Sequence, residues 1–296
     1  PKWLKPFQKA FAWSLSTARA PYSRKLYASI GGGSPIRGQT EAQARALSWE
    51  LGRRGRTMPV FIAMRHSQPN SIAALRAARD SGLTQLIVIG LFPQYSFSTT
   101  LSGLTGVRNA MDALHFNPEI ITVEEYCEDP DYIAAVVDVT RRALRAFATP
   151  PERVHLVFSA HGLPMSYIEG GDPYLGHVRR SVRAASAMLG HPGPIHTSFQ
   201  SRLGPQKWLE PASDKLISEL GQSGAKAICV VPIAFVSEHV ETLNEIDIQY
   251  GDIAHRSGVN EFRRACTVRC HPSYIRCLAN QVEKAFSLTP LVPAAT

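Results

Sequence analysis

The chain has little that would anchor it in a bilayer core, staple it with disulfides or mark a familiar catalytic loop. No stretch approaches the ~18 uninterrupted apolar residues of a membrane-spanning helix. Cysteine is scarce, with five among 296 residues. An odd count without an apolar leader core argues against a secreted disulfide scaffold. HExxH, Walker A, GxSxG and a strand-borne GxGxxG are all missing. Gly31-Gly32-Gly33-Ser34 is glycine-rich but runs into Pro35 without a following Lys-Ser/Thr pair, so it is not a phosphate loop. Neither an RNA-binding motif nor a basic helix-turn-helix is present, and nucleic acid is not an expected partner.

Acidic residues are absent from one region in particular. Residues 1–40 hold seven Lys or Arg and no Asp or Glu, so nearly all of the +8 net charge belongs to an N-terminal arm. Trp3, Phe7, Phe11 and Trp13 lie among those bases, a mixture suited to peripheral contact with a membrane interface. A mitochondrial transit peptide has a similar acid-poor composition. The rest of the chain is close to neutral, as expected of a cytoplasmic globular protein.

What is present is an alternation of short apolar runs and amphipathic segments. Strands are expected over 59–64, 85–91, 119–123, 154–158, 195–199 and 226–235. Helices are expected over 70–81, 130–147, 173–189, 211–221, 237–249 and 273–287. This order predicts an α/β protein with parallel sheets covered by helices on both faces. Thr149-Pro150-Pro151 reads as a linker, giving domains at 1–150 and 151–296. Ligands of such sheets sit beyond the carboxyl ends of the strands.

Two strand ends carry chemistry. His161 follows the run 154–158, where a titratable imidazole is a plausible proton acceptor or metal ligand. After the run 226–235 come Glu238, His239, Glu241 and Glu245. At helical spacing the three carboxylates share a face. Spacing alone leaves a solvated acidic face and a cation site as equal readings. Histidine and carboxylates without thiolate suit a labile ion of intermediate hardness such as Fe(II). Tyr95, Trp208 and Phe92 would line a cleft for a flat apolar ligand.

These residues sit in longer motifs. They include Tyr27-Ala-Ser-Ile-Gly-Gly-Gly-Ser-Pro-Ile36, Phe92-Pro-Gln-Tyr-Ser96 and Phe158-Ser-Ala-His-Gly-Leu-Pro-Met-Ser166. Gly171-Asp-Pro-Tyr174, Phe199-Gln-Ser-Arg-Leu-Gly-Pro205 with Trp208, and the segment 232–250 complete the set. In this order and spacing the chain closely resembles the ferrochelatase family over nearly its whole length. The resemblance implies two Rossmann-like domains with four-stranded parallel sheets, a porphyrin cleft and no nucleotide. It also implies a last helix (273–287) returning to the first domain. The activity implied is insertion of Fe(II) into protoporphyrin IX, a lyase-class reaction ending haem biosynthesis. Coproporphyrin III or another tetrapyrrole as substrate, or a non-catalytic porphyrin carrier, are the alternatives.

By the same resemblance, His161 and Glu241 are the catalytic and metal-site pair. Glu238, His239 and Glu245 form a relay for protons or metal, and Tyr27, Ser34, Arg65, Tyr95, Gln200, Ser201 and Trp208 contact the porphyrin. Many members hold a [2Fe–2S] cluster on four thiolates, which makes Cys127, Cys266, Cys270 and Cys277 candidate ligands, although their spacing matches no specific pattern. Three departures stand out. The family usually has about fifty residues ahead of the position of Pro1. His66 stands where a tyrosine is usual, and Gln249 replaces an acid one turn beyond Glu245.

Overall fold

The computed structural model describes residues 24–287. The basic aromatic arm, including Trp3, Phe7, Phe11 and Trp13, therefore lies largely outside the described residues. Two parallel sheets organise the chain. The first has two strands, β1 (Gln85–Ile89) and β2 (Glu119–Val123), in register from Gln85 opposite Glu119 to Ile89 opposite Val123. The second has four, in the order β4 (Ile195–Gln200), β3 (Val154–His161), β5 (Ala227–Pro232) and β6 (Glu261–Arg264). All its pairings are parallel.

The expected four-stranded first sheet is thus corrected to two strands among the described residues. The run 59–64 forms only an isolated bridge, Met64 to Asn70. Its residues are suited to a strand, but a strand exists only where a neighbour completes the hydrogen-bond ladder, and no described strand pairs with it.

Helices cover both sheets. They are α1 (Ile36–Arg53), α2 (Ser71–Asp80), α3 (Ser102–Leu114), α4 (Pro130–Leu144), α5 (Met165–Glu169), α6 (Tyr174–Leu189), α7 (Ser213–Gln222), α8 (Gly251–Arg256) and α9 (Pro272–Ser287). Local chemistry explains their starts. Asp129 accepts the backbone N–H groups of Asp131 and Tyr132, and Pro130 occupies the first turn of α4. Asn70 caps α2 through the N–H of Ala73.

One apolar cluster runs through both halves. Leu51, Tyr132 and Ile133 pack in it with Leu156, Phe158 and Ile233, and with Tyr274 and Leu278 of α9. Each such fully buried side chain contributes about 1.5–3 kcal/mol. Helix α9 lies against α1 and α4. Arg54 donates to Asn280 and Glu283, and Gln281 donates to Asp129. Strand β3 is central and buried, so its end is held firmly, and His161 is its last residue.

Candidate active site

The end of β3 and the segment after β5 meet. His161 Nδ1 lies 2.7 Å from Glu241 Oε2. That contact commits Nδ1 and leaves Nε2 as the ring's remaining ligand atom. His239 Nε2 lies 3.8 Å from the same carboxylate oxygen, and its Nδ1 is buried without a partner among the described residues. The Phe235 ring packs edge-on to His161 and at 4.8 Å from His239, walling both imidazoles.

Gln200 and Ser201, at the end of β4, join the two carboxylates. In the sheet register Gln200 is the partner of His161. The Ser159 hydroxyl donates to Gln200 Oε1, which turns the amide NH₂ toward the carbonyl of Glu241 and the carboxylate of Glu245. The Ser201 hydroxyl lies within hydrogen-bond reach of Glu241 Oε2 (3.1 Å) and Glu245 Oε2 (2.5 Å), and its backbone N–H donates to Glu245 Oε1. Ser201 adopts φ 65°, a conformation costly for a residue with a Cβ. Gly162 is needed for a different reason: a Cβ there would stand 2.8 Å from the carbonyl of Gln200.

Glu241 and Glu245 lie on a wide helix, Glu241–Tyr250, with i→i+5 hydrogen bonding. Residues five apart therefore meet. Tyr250 donates to Glu245, and Gln249 donates to Asn244. Wide helices of this kind are rare and concentrate at functional sites.

The three carboxylates do not share one face. Glu238 precedes the helix and points away, buried. It pairs with Arg264 at 2.9 Å and accepts from the Thr242 hydroxyl and the Thr267 N–H. Helical spacing did not apply to it because the helix begins only at Val240. Its backbone N–H donates to Gln39 of α1.

Charge distribution follows this geometry. Burial disfavours the imidazolium of His161, but the hydrogen bond and charge of Glu241, with Glu245 adding, outweigh it and raise its pKa. For Glu241 burial also disfavours the charge, and the bonds to His161 and His239 overcome it, holding the carboxyl well below the usual range. Glu238 is likewise lowered against burial, chiefly by Arg264. The geometry therefore favours a proton on His161 and a charge on Glu241.

The remaining candidates surround this centre less closely. A cavity of about 1020 Å³ opens beside it, lined among others by Ser201, Trp208, Leu209, Glu245 and Tyr250. Tyr27 is exposed, two residues from Ser29, whose hydroxyl accepts from Asn244 of the wide helix. Ser34 is exposed and caps the N–H of Ile36. Arg65 reaches Ser102 at 3.3 Å. Tyr95 stacks edge-on with Phe97. Among the described residues no hydrogen bond or ion pair joins Tyr27, Ser34 or Arg65 to His161.

Two motifs serve as clamps. Asp172 accepts from the hydroxyl of Ser96 and the N–H of Phe97, and the Tyr174 hydroxyl donates to the carbonyl of His161. Asn244 and Gln39 were missed from sequence because their partners Ser29 and Glu238 are distant along the chain, and Tyr250 because its bond to Glu245, five residues back, forms only in a wide helix.

The cysteines do not fit a four-thiolate cluster. Cys266 and Cys270 are exposed, whereas Cys127 and Cys277 are buried. Among the described residues no three of them come within common ligand reach. Cys277 lies against Asp129, and burial raises its thiol pKa.

A ferrochelatase family model matches residues 2–286. The chain belongs to the ferrochelatase family. It is 43% identical over 304 residues to the ferrochelatase of Synechococcus sp. (strain JA-2-3B'a(2-13)), covering 98% of this chain and 87% of that one. Identity to the ferrochelatase of Geotalea uraniireducens (strain Rf4) is 42% over 287 residues, covering 97% and 88%. Among solved structures, SirB from Bacillus subtilis with Fe³⁺ superposes with a TM-score of 0.56 at 16% identity, covering 83% of this chain and 89% of that chain. The cobalt complex of the sirohydrochlorin chelatase SirB gives 0.58 at 13%, covering 83% and 88%. These structural likenesses establish the chelatase fold of both halves. Family membership makes this chain a metal chelatase of haem biosynthesis, with porphyrin and ferrous iron as the family's substrates. No described helix is long and apolar enough to cross a membrane.

Proposed function

We propose that this ferrochelatase inserts Fe(II) into protoporphyrin IX, forming protohaem and releasing two protons. The observation that carries the reading is the His161–Glu241 pair at 2.7 Å, at a strand end within a polar cluster. Insertion needs little covalent chemistry. Two pyrrole protons must leave while the ion sheds water and enters. A macrocycle held bent exposes its nitrogen lone pairs, with strain supplied by binding energy elsewhere on the ring.

In this reading His161, neutral and with its Nδ1–H held by Glu241, accepts a pyrrole proton on Nε2 and passes the Nδ1 proton to Glu241. Ser201 links Glu241 to Glu245, giving the protons a route off the pair. His239 offers a second imidazole beside Glu241. Glu238 holds the loop rather than carrying protons, since its oxygens are engaged by Arg264, Thr242 and Thr267. Tyr27, Ser34, Arg65, Tyr95 and Trp208 hold the macrocycle and its propionates. Gln200, expected to touch the porphyrin, is buried with its amide engaged by Ser159, Glu241 and Glu245, and positions the carboxylates instead. The protein works in the cytoplasm, with its basic aromatic arm resting on a bilayer surface. Vesicle sedimentation indifferent to salt and to loss of Trp3 and Phe7 would count against that contact.

Anaerobic Fe(II) insertion assays with protoporphyrin IX and coproporphyrin III test the activity and the substrate together. His161→Ala and Glu241→Ala should each lose on the order of 10²–10⁴-fold in insertion rate. Retained turnover in both variants sinks the site assignment. Faster insertion into coproporphyrin III replaces the substrate, and tight porphyrin binding without insertion replaces enzyme with carrier.

A further inference from the structure

A second group of ligand-bearing side chains lies outside the cleft. Glu125 and Cys127 stand in the turn between β2 and α4, and His177 lies in the first turn of α6. One ligand atom of each lies within 4.8 Å of the other two. Cys127 is fully buried, whereas Glu125 and His177 are partly exposed. The trio therefore makes a pit with a thiol at its floor and solvent at its mouth. Neighbouring bonds hold the walls. Glu125 Oε2 accepts the Cys127 N–H at 3.0 Å, and the Ser181 hydroxyl of α6 donates to the carbonyl of Cys127 at 2.6 Å. The ring of His177 accepts the Tyr95 N–H at 3.3 Å.

We propose that Glu125, Cys127 and His177 form a second metal site, distinct from His161 and Glu241, that takes a divalent ion of the zinc type. A thiolate, an imidazole and a carboxylate are the mixed donor set of borderline ions such as Zn²⁺ and Co²⁺, not of Mg²⁺ or Ca²⁺. Zinc bonds of about 2.0–2.3 Å put tetrahedral ligands roughly 3.3–3.7 Å apart. With its ligand atoms all within 4.8 Å of one another, the trio reaches that spacing by a closure of at most roughly 1–1.5 Å. Three protein ligands leave the fourth position, at the open mouth, for water.

The ion takes the place of the thiol proton, which leaves to solvent. Arg180 is the local competitor, at 3.5 Å from Glu125, but Glu128 holds its guanidinium and also contacts Arg183. With the thiolate formed, Glu125, Glu128 and Cys127 set three negative charges against Arg180, Arg183 and a divalent ion. An ion there joins the turn after β2 to α6 and, through His177, to the loop bearing Tyr95. It would fasten one wall of the cleft without touching the reacting centre.

The test is a cobalt titration of the full chain carrying Cys266→Ser and Cys270→Ser, which removes the exposed thiols. A thiolate-to-cobalt charge-transfer band should rise to one equivalent and be displaced by zinc. An ion at His161 and Glu241 has no thiolate and gives no such band. Adding Cys127→Ser should abolish the band, and His177→Asn should weaken cobalt binding about 10–100-fold. No band up to millimolar cobalt overturns the proposal, as does a band surviving Cys127→Ser. If Cys127→Ser fails to fold, unchanged affinity in His177→Asn, at a partly exposed position, overturns it equally.

Discussion

Replacing Glu241 with Gln should lower the pKa of His161, because it removes a charge while keeping the shape. The pair is 2.7 Å apart, with side chains 40% and 30% exposed. Full charges about 4 Å apart at an effective dielectric near 20 attract by about 4 kcal/mol. Exposure of this degree screens much of that, and a charge-assisted hydrogen bond nets about 1.5–3 kcal/mol. Losing that stabilisation favours the neutral ring. The sign is fixed by the native state. Glu241 raises His161 above its unfolded value against the effect of burial. The pair's stabilisation is therefore complete below the unfolded pKa and is lost as pH rises through the folded one. In Glu241→Gln, burial is opposed only by Glu245, and the ring titrates lower. Ring-labelled histidine NMR across pH 5–9, assigned through His161→Gln, measures it. Divalent-ion binding should strengthen with pH in step with that titration, at lower pH in the variant. A His161 pKa that stays put or rises would refute the reasoning.

Other substitutions bear on the same cluster. Glu238→Gln breaks a buried pair whose side chains are each 7% exposed and should cost about 3–5 kcal/mol in urea unfolding at pH 7. Because the native Glu238 pKa is lowered, that deficit should shrink as pH falls through it; a deficit constant with pH would contradict the assignment. Ser201→Ala removes the hydroxyl between Glu241 and Glu245 and should slow insertion about tenfold with the unfolding midpoint little changed, at about 1 kcal/mol or less. Gly162→Ala forces a Cβ to 2.8 Å from the Gln200 carbonyl. It should cost about 1–3 kcal/mol and lower activity, seen by thermal melting beside a rate assay.

Much of the second sheet was legible because its strands are buried on both sides. Val157, Phe158, Ile228 and Val230 are wholly covered, so their runs are continuously apolar. Strand β5 was expected to reach Phe235 but ends at Pro232. Ile233 stays buried for another purpose: its carbonyl accepts from Tyr132 and Gln94. Helix α1 escaped notice because the face it buries includes Thr40, Gln43 and Glu50, which leaves no apolar stripe to read. Strand β6 reads Glu-Phe-Arg-Arg and lies at the sheet edge, where pairing, not hydropathy, makes the strand. At the site, the residues at strand ends could be found from their positions. The orientation of Glu238 could not, since it depends on Arg264, 26 residues away. Nor was the wide helix visible, because it differs from an α-helix only in which carbonyl each N–H chooses.

That choice has a consequence for how the site is inherited. The ten residues Glu241–Tyr250 carry about one residue more per turn than an α-helix would. The segment is in effect an insertion absorbed into the coil without a bulging loop. A lineage losing a single residue between Glu241 and Glu245 could close the turn as an ordinary helix and keep its packing on the sheet. Glu245 would slide past Ser201, and the carboxylate pair would come apart. One codon separates a fold with these two carboxylates joined through Ser201 from the same fold without that link.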